Sequence, residues 1–451
     1  MFLALSVYLV KITVYDSKDF IYQPTNPRLS QSREDIKRGS VLDCKGQELA
    51  YSQKEGDSYK RVYLTEGNLS HILGYVDNGK SGIEAYCNFD LETVDFEIMQ
   101  QISSLLGESE VRGNNVYLTI DLDVQKAAAE SMGDRRGSVV AIEPESGKII
   151  SMLSNPTFDS NTIKENWDEL NADEDNSPLL NRATQGLYPP GSTFKIITAA
   201  AALSTDPALG DFEYRCLGEA DFGDTLLHCF NSAAHGYEDM TDAFAKSCNT
   251  YFATVAQNIG NNALIEATEN FCFNKPIDFP LPAREPIFSL KPSSQINELA
   301  ETAIGQGKTL VTPLYMAMVT SAIAYNGMMM QPHIIDRIES PFNTVKYKAS
   351  PVLLSQVCSP DNAFRIKNMM ISAVNEGTAT QSQLYVNDEP VQAAGKTGTA
   401  ENASGEDHSW FVAFAPADDP KIAVAVILEN SGHGDRAEYI AKNVMETYLE
   451  K

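Results

Sequence analysis

The sequence predicts an α+β protein, in which an antiparallel five-stranded sheet is covered by helices and a smaller mixed domain precedes it. Two apolar runs, SVVAIEP and KIISMLS, flank the turn residues Glu145-Ser146-Gly147 and indicate a β-hairpin. Three more strands are indicated near the C-terminus by VQAAGKTGTA, SWFVAFAPA and KIAVAVILE. Helical runs lie between the two groups, and RAEYIAKNVMETYLE ends the chain as an amphipathic helix.

The length of 451 residues suggests two or three domains. We predict a short apolar segment over residues 1–15, a smaller domain over 16–136 and a larger domain over 137–451. Apolar residues make up 43% of the chain, which is enough to bury a core. The 61 acidic and 35 basic side chains give a net charge of −26, which argues against a nucleic-acid partner because phosphate binding needs a basic surface.

The N-terminal segment FLALSVYLVKIT is almost all apolar apart from Lys11. It is shorter than the roughly 20 residues that cross a membrane, and no basic residues precede it as they would in a secretory signal. We expect it to be the remaining part of a single N-terminal membrane anchor, incomplete in this sequence, with the rest of the chain outside the cytoplasm. A strand or helix of the core is the alternative.

The tetrad Ser192-Thr193-Phe194-Lys195 is the only Ser-x-x-Lys in the chain. Residues three apart share a helix face, so the lysine can lie beside the serine hydroxyl. A lysine whose pKa is lowered by burial can take the proton that a serine must lose to become a nucleophile. The tetrad follows Pro189-Pro190-Gly191 and therefore stands where a helix begins, with free N–H groups that stabilise negative charge.

Two further triplets follow the tetrad. Ser247-Cys248-Asn249 offers a hydroxyl that can relay protons and an amide that can hold a peptide group. Lys396-Thr397-Gly398 lies in a predicted strand, where a lysine and hydroxyls suit a carboxylate and the glycine allows a substrate backbone to come close. Lys80-Ser81-Gly82 matches the same pattern but stands among turn residues, and we interpret it as a loop.

The order Ser-x-x-Lys, Ser-x-Asn, Lys-Thr-Gly is the motif set of penicillin-binding proteins and serine β-lactamases. The resemblance to class B penicillin-binding proteins covers nearly all of residues 24–451. Four segments resemble the transpeptidase domain of that class: NRATQGLYPPGSTFKIITAAAAL, AKSCNTYFA, IGQGKTLVTPLYMAM and AAGKTGTAENASGEDHSWFVAFAPADDPKIAVAVILE. Three others resemble its N-terminal pedestal, or dimerisation domain: RGSVLDCKGQELA, GYVDNGKSGIEAYCN and LTIDLDVQKAA. Asp43-Cys44-Lys45-Gly46 departs from the usual Asp-Arg-Asn-Gly, outside the catalytic domain.

The resemblance implies a peptidoglycan D,D-transpeptidase that β-lactams acylate. Ser192 would attack the carbonyl between the two D-alanines of a stem peptide, with Lys195 as its base. Ser247 and Lys396 would help to deliver the proton to the departing D-alanine, and Asn249 would hold the donor peptide. The acyl group would then pass to an amine of a neighbouring stem, without a cofactor.

The substrate-binding residues implied by the resemblance are Thr397, Gly398 and Thr399, whose strand would receive the carboxylate of the substrate or of a β-lactam. The backbone N–H groups of Ser192 and Thr399 would form the oxyanion hole. The resemblance also implies a membrane glycan polymerase as a partner of the pedestal.

Cys216, Cys229 and His235 form a second candidate site. A loop with such residues can hold a structural zinc ion if a fourth ligand is present, and we consider His228, Asp239 and Asp242 for that position. Some class B relatives resemble this pattern and bind zinc beside the Ser-x-Asn segment. A Cys216–Cys229 disulfide and two free thiols are the alternatives.

Two other functions use the same motifs. A β-lactamase or D,D-carboxypeptidase would pass the acyl group to water, but such catalytic domains usually lack a pedestal. A β-lactam sensor or a catalytically silent binding protein would act through contacts alone. Rapid turnover of a chromogenic β-lactam would favour the first alternative, and a missing or very slow acylation would favour the second.

Overall fold

The computed structural model describes Tyr8 and residues 37–56, 58–92, 112–401, 405–432 and 437–451. Apart from Tyr8, the predicted anchor segment over residues 1–15 lies outside the described residues. Within the described part of the chain, the search for a helix with the length and apolar character of a membrane span finds none.

The strands of the described chain fall into two large sheets and several short pairs. They are β1 Val41–Leu42, β2 Glu48–Glu55, β3 Ser58–Tyr63, β4 Asn115–Leu118, β5 Gly137–Ile142, β6 Ile149–Asn155, β7 Tyr214–Cys216, β8 Glu219–Phe222, β9 Thr225–His228, β10 Gly236–Glu238, β11 Met328–Met330, β12 Ile335–Glu339, β13 Val345–Lys348, β14 Leu353–Gln356, β15 Leu384–Val386, β16 Glu389–Val391, β17 Ala394–Ala400, β18 His408–Ala415 and β19 Ile422–Leu428.

The helices concentrate between β6 and β17. They are α1 Ser70–Leu73, α2 Gly82–Tyr86, α3 Asn88–Glu92, α4 Leu122–Met132, α5 Trp167–Ala172, α6 Arg182–Gln185, α7 Lys195–Thr205, α8 Met240–Ala245, α9 Asn249–Asn270, α10 Ile296–Ala303, α11 Pro313–Ala324, α12 Pro360–Asn375 and α13 Ala437–Leu449.

The predicted five-stranded sheet is present, with the order β17-β18-β19-β5-β6 and antiparallel pairing throughout. The hairpin predicted around Glu145-Ser146-Gly147 is β5–β6, and the last three predicted strands are β17, β18 and β19. The prediction of an α+β fold built on this sheet is therefore confirmed. Because β17 is an edge strand, one of its sides is left for other elements or a substrate.

Both faces of the sheet are buried, as the apolar runs require. Along β18, Phe411 and Ala413 point to the side of the C-terminal helix α13, whereas Trp410 and Val412 belong to the core on the side of α11. This alternation follows from the two-residue period of a strand. The sheet thus forms a rigid layer whose edge strand β17 carries the Lys-Thr-Gly triplet.

The N-terminal sheet has six strands in the order β13-β12-β4-β1-β2-β3. Two of them, β12 and β13, come from residues 335–348, far beyond residue 137. The N-terminal sheet therefore joins segments from both sides of the boundary at residue 137 that the sequence predicts.

A buried ion network braces this N-terminal part. The Glu84 carboxylate accepts hydrogen bonds from Arg38 Nη2 at 2.7 Å and from Arg61 Nε at 2.6 Å. Lys80, from the second Lys-Ser-Gly match, donates to Asn88 at 2.6 Å and to Glu92 at 3.0 Å. The match at Lys80 therefore belongs to this network, in the N-terminal part of the chain and away from the strand that carries Lys396-Thr397-Gly398.

Candidate active site

The Ser192 turn is a 3-10 segment, Gly191–Phe194, that leads directly into α7. The Gly191 N–H donates to the Gly305 carbonyl at 2.9 Å. Gly191 has φ +53°, and a Cβ there would lie 2.2 Å from the Thr399 carbonyl oxygen. Glycine is therefore required for the turn to press against β17, which brings the serine to the edge of the sheet.

Lys195 is fully buried at the start of α7. Its Nζ lies 3.1 Å from Ser192 Oγ, 3.2 Å from Ser247 Oγ, 2.8 Å from the Ser247 carbonyl and 2.7 Å from Asn249 Oδ1. Burial lowers the pKa of Lys195 to about 8. The short contact and the lowered pKa would allow this side chain to accept a proton from the serine hydroxyl.

Lys396 is buried on β17 and donates to the Thr397 carbonyl at 3.1 Å. Burial, together with the charge of Lys195, lowers the pKa of Lys396 well below its ordinary value. The two amines lie 5.8 and 5.6 Å from the ring centroids of Phe252 and Phe244, respectively. Among the described residues neither lysine forms a salt bridge, although the nearby thiols and the charge of Glu238 act to raise the pKa of Lys195 against the larger effect of burial.

Ser247 and Asn249 stand at the junction of α8 and α9. Ser247 has φ +58°, an uncommon conformation for a non-glycine residue that is often found at functional sites. Cys248 Sγ accepts the Tyr251 N–H at 3.4 Å and caps α9. The Asn249 amide bridges the site, because its oxygen accepts from Lys195 while its nitrogen donates to the His228 carbonyl at 2.9 Å.

Gly398 has a packing role in addition to the substrate approach predicted for it. A Cβ at this position would lie 2.8 Å from Thr193 Cγ2 and 3.0 Å from Trp410 Cβ. The Trp410 indole N–H also donates to the Pro189 carbonyl at 2.9 Å. Any larger residue at Gly398 would thus push the nucleophile turn away from the sheet.

The three motifs meet in one cavity of about 610 Å³. Ser192, Ser247, Asn249, Thr397 and Thr399 line it, whereas Lys195 and Lys396 lie behind this wall. The other lining residues lie outside the three motifs: His228, Cys229, Phe230, Asn231, Ala233, His235, Lys246, Ile304, Gln306, Thr378, Glu401 and Asp407. The loop 228–235 was not predicted as part of this wall.

A cluster of three thiols and one imidazole lies beside the cavity. The ligand atoms of Cys216, Cys229, His235 and Cys248 all lie within 4.8 Å of one another. Cys229 Sγ is 3.7 Å from both Cys216 Sγ and Cys248 Sγ, and His235 Nδ1 is 3.5 Å from Cys216 Sγ. All seven cysteines are free, so the Cys216–Cys229 disulfide alternative is absent from the structure.

The fourth residue of this cluster is Cys248, and none of His228, Asp239 and Asp242 belongs to it. His228 is exposed and pairs with Glu219 at 3.4 Å, while Asp239 caps α8 by accepting the Asp242 N–H at 2.9 Å. The sequence does not indicate Cys248 as a ligand, because it is the middle residue of the Ser-x-Asn triplet, whose predicted chemistry belongs to Ser247 and Asn249. No short ligand spacing in the sequence points to it, because Cys248 lies 13 residues beyond His235 and 19 beyond Cys229.

The cluster has the chemistry of a metal centre. Cys216 Sγ accepts from the Gly218 N–H and the Thr250 hydroxyl, both at 3.4 Å. A hydrogen bond from Cys248 lowers the pKa of the Cys229 thiol to about 4 and favours the thiolate. Three sulfurs and one ring nitrogen are a usual ligand set for tetrahedral zinc, so the residues present fit such an ion.

Comparison with known proteins places the chain in a family. Residues 137–446 match the penicillin binding protein transpeptidase domain, and residues 38–116 match the penicillin binding protein A dimerisation domain. The chain is 33% identical to the peptidoglycan D,D-transpeptidase PbpA of Mycolicibacterium smegmatis, over 91% of this chain and 87% of that protein. It is 31% identical to MrdA of Haemophilus influenzae, over 87% of this chain and 69% of that protein.

Solved structures agree with this placement. The D,D-transpeptidase domain of a peptidoglycan glycosyltransferase from Eggerthella lenta has a TM-score of 0.83 and 34% identity, over 92% of this chain and 99% of that one. The imipenem acyl-enzyme of penicillin-binding protein A from Mycobacterium tuberculosis has a TM-score of 0.85 and 29% identity, with the same coverage. The chain belongs to the penicillin-binding protein transpeptidases. Within that family it is a class B protein, similar to PbpA and MrdA.

Proposed function

We propose that this chain is a peptidoglycan D,D-transpeptidase in which Ser192 is acylated and Lys195 is its base. The observation that carries the assignment is the 3.1 Å contact between Lys195 Nζ and Ser192 Oγ, with burial lowering the pKa of the lysine to about 8. Ser192 Oγ attacks the carbonyl between the two terminal D-alanines and gives its proton to Lys195. The oxyanion receives hydrogen bonds from the backbone N–H groups of Ser192 and Thr399.

Collapse of the tetrahedral intermediate breaks the peptide bond and releases the terminal D-alanine. Its leaving nitrogen needs a proton, and Ser247 is placed to relay one because its hydroxyl lies 3.2 Å from Lys195 Nζ. Lys396, which is buried behind the same wall of the cavity, assists in the delivery of this proton. An amine of a second stem then attacks the acyl-enzyme, loses a proton and restores Ser192, so that a crosslink forms.

Substrate binding is assigned to the edge of β17 and to Asn249. Thr397 and Thr399 donate to the terminal carboxylate, and the Asn249 amide holds the donor peptide, while Gly398 keeps the strand close to the nucleophile turn. β-Lactams carry an equivalent carboxylate and acyl group, so they acylate the same serine. The relative from Mycobacterium tuberculosis, solved as imipenem and penicillin G acyl-enzymes, supports this assignment.

The test is covalent labelling with a fluorescent penicillin. Ser192→Ala is expected to abolish labelling, because no other hydroxyl replaces the acylated atom, and Ser204→Ala on the exposed end of α7 serves as the matched control. Mass spectrometry of the wild-type adduct locates the modified residue and measures the lifetime of the acyl-enzyme. Labelling that persists in Ser192→Ala would refute the assignment.

A structural zinc ion is proposed for Cys216, Cys229, His235 and Cys248. Such an ion would neutralise the thiolates and tie loop 228–235 to the Ser-x-Asn segment, whose Asn249 already donates to the His228 carbonyl. This chain's own residues do the catalysis, and the ion would hold their supporting loop in place.

Metal analysis of the purified protein tests the zinc proposal directly. We expect about one zinc per chain under reducing conditions, a loss of metal in Cys216→Ser, and no change in Cys272→Ser, which lies outside the cluster. A wild-type protein that is free of zinc and equally stable with a chelator would contradict it.

The catalytic domain acts on peptidoglycan and is therefore extracytoplasmic. The apolar segment FLALSVYLVKIT is proposed to belong to an N-terminal membrane anchor, and the pedestal to contact a membrane glycan polymerase. Cross-linking in membranes, followed by identification of the adduct, tests both proposals together.

A further inference from the structure

Thr378 lies on a short segment that follows α12 and enters the catalytic cavity. Its backbone N–H donates to the Ala245 carbonyl at 3.1 Å, and Ala245 is the last residue of α8, just before the Ser-x-Asn triplet. A Cβ on the preceding Gly377 would lie 2.3 Å from the same carbonyl oxygen. The segment is therefore closely packed against the second motif.

The side chain of Thr378 reaches the third motif. Its Oγ1 lies 2.6 Å from Thr397 Oγ1, and both residues line the cavity. One residue outside the three motifs thus connects the helix before Ser247, through its backbone, with the carboxylate-binding strand, through its hydroxyl.

The direction of this hydroxyl–hydroxyl bond follows from counting protons. A threonine hydroxyl has one proton to donate and two lone pairs to accept with. If Thr397 donates its proton to a substrate carboxylate, it cannot also donate to Thr378. Thr378 must then be the donor, and its proton occupies one lone pair of Thr397 Oγ1.

We propose that Thr378 is a positioning residue for carboxylate recognition, which donates to Thr397 Oγ1 and so directs the Thr397 proton into the cavity. The inference rests on the proposed role of Thr397. The Thr378 hydroxyl should therefore increase the preference of the enzyme for anionic over uncharged acyl donors, since a carboxylate accepts a stronger hydrogen bond from Thr397 than an uncharged group does.

The experiment compares acylation by benzylpenicillin with acylation by its methyl ester, which lacks the anionic group. The second-order rate constants are measured by mass spectrometry in the full chain. Thr378→Val, which keeps the shape of the side chain, should lower the benzylpenicillin rate about tenfold and the ester rate less than about twofold. Thr378→Ser restores the hydroxyl and should react like the wild type, and Thr380→Val is the matched control.

The Thr397→Val variant distinguishes a failure of the inference about Thr378 from a failure of the proposed role of Thr397. A lower preference for benzylpenicillin over the ester in both Thr397→Val and Thr378→Val supports the inference. The inference is overturned if Thr378→Val leaves this preference unchanged while Thr397→Val lowers it. A Thr397→Val variant with the wild-type preference overturns the proposed role of Thr397 itself, and the inference with it.

Discussion

The pedestal and the catalytic cavity both bury charged side chains, but they surround them differently. Burial by itself would raise the pKa of Glu84, yet the charges of Arg61 and Arg38 outweigh it and hold that pKa below its ordinary value. In the cavity, Lys195 and Lys396 contact hydroxyl, carbonyl and amide oxygens and aromatic rings, and burial lowers the pKa of both. A buried ion paired with opposite charge thus keeps its charge and supports the structure, whereas a buried amine whose contacts are neutral has a lowered pKa and can serve as a base.

The largest effect is expected when the base is removed. Lys195→Met should slow acylation by penicillin about 100- to 10,000-fold, because Ser192 loses its proton acceptor. The melting temperature should not fall, since an apolar side chain of similar length replaces a buried amine. Rapid-quench labelling and thermal unfolding measure the two quantities, with the exposed Lys164→Met as control. A variant that unfolds at a lower temperature would break the contrast with the pedestal.

Removing the Glu84 carboxylate from the pedestal should have the opposite effect, with a loss of stability and no change in acylation. Glu84→Gln leaves two buried guanidinium groups without their shared counterion and should lower the free energy of unfolding by about 3–5 kcal/mol. Denaturant unfolding checks the stability, and penicillin labelling of the folded fraction should stay unchanged. Glu66→Gln, in the exposed pair with Lys126, should cost less than about 1 kcal/mol.

The pH dependence of acylation tests the state of the cavity lysine. Lys195 accepts a proton only in its neutral form, and its pKa is lowered to about 8. The acylation rate should therefore fall about tenfold for each pH unit below this value and level off above it. Stopped-flow labelling gives the profile, and unfolding measured over the same range separates it from loss of structure. A flat profile on the acid side would mean that the proton goes elsewhere.

The smallest effect is expected at the support of the nucleophile turn. Tyr188 OH donates to Glu429 at 2.6 Å, and Glu429 is also held by Arg182 at 2.8 Å. Tyr188→Phe removes one of these bonds just before Pro189 and should lower the free energy of unfolding by about 1 kcal/mol, with acylation slowed about fivefold. The exposed Tyr439→Phe is the control. An acylation rate equal to that of the wild type would show that the turn does not need this bond.

Much of this arrangement could be predicted because the signals are local. Ser192 and Lys195 are three residues apart, so helix geometry alone places one beside the other. The strands β17 to β19 are apolar runs between turns, and their two-residue period predicts buried faces on both sides. The role of Gly398 against Thr193 was not predictable, because the contact joins residues more than 200 positions apart.

The sequence by itself determined the fold class and the proximity of Ser192 and Lys195, since these depend on neighbours within a few residues, and it shows the order of the three motifs directly. Tertiary structure alone decided that Cys248 completes the Cys–His cluster, that β12 and β13 join the N-terminal sheet and that Thr378 contacts Thr397. The physical reason is distance along the chain. Helix and strand periods are encoded residue by residue, whereas contacts across long loops depend on how whole layers pack, and that packing is a property of the entire core.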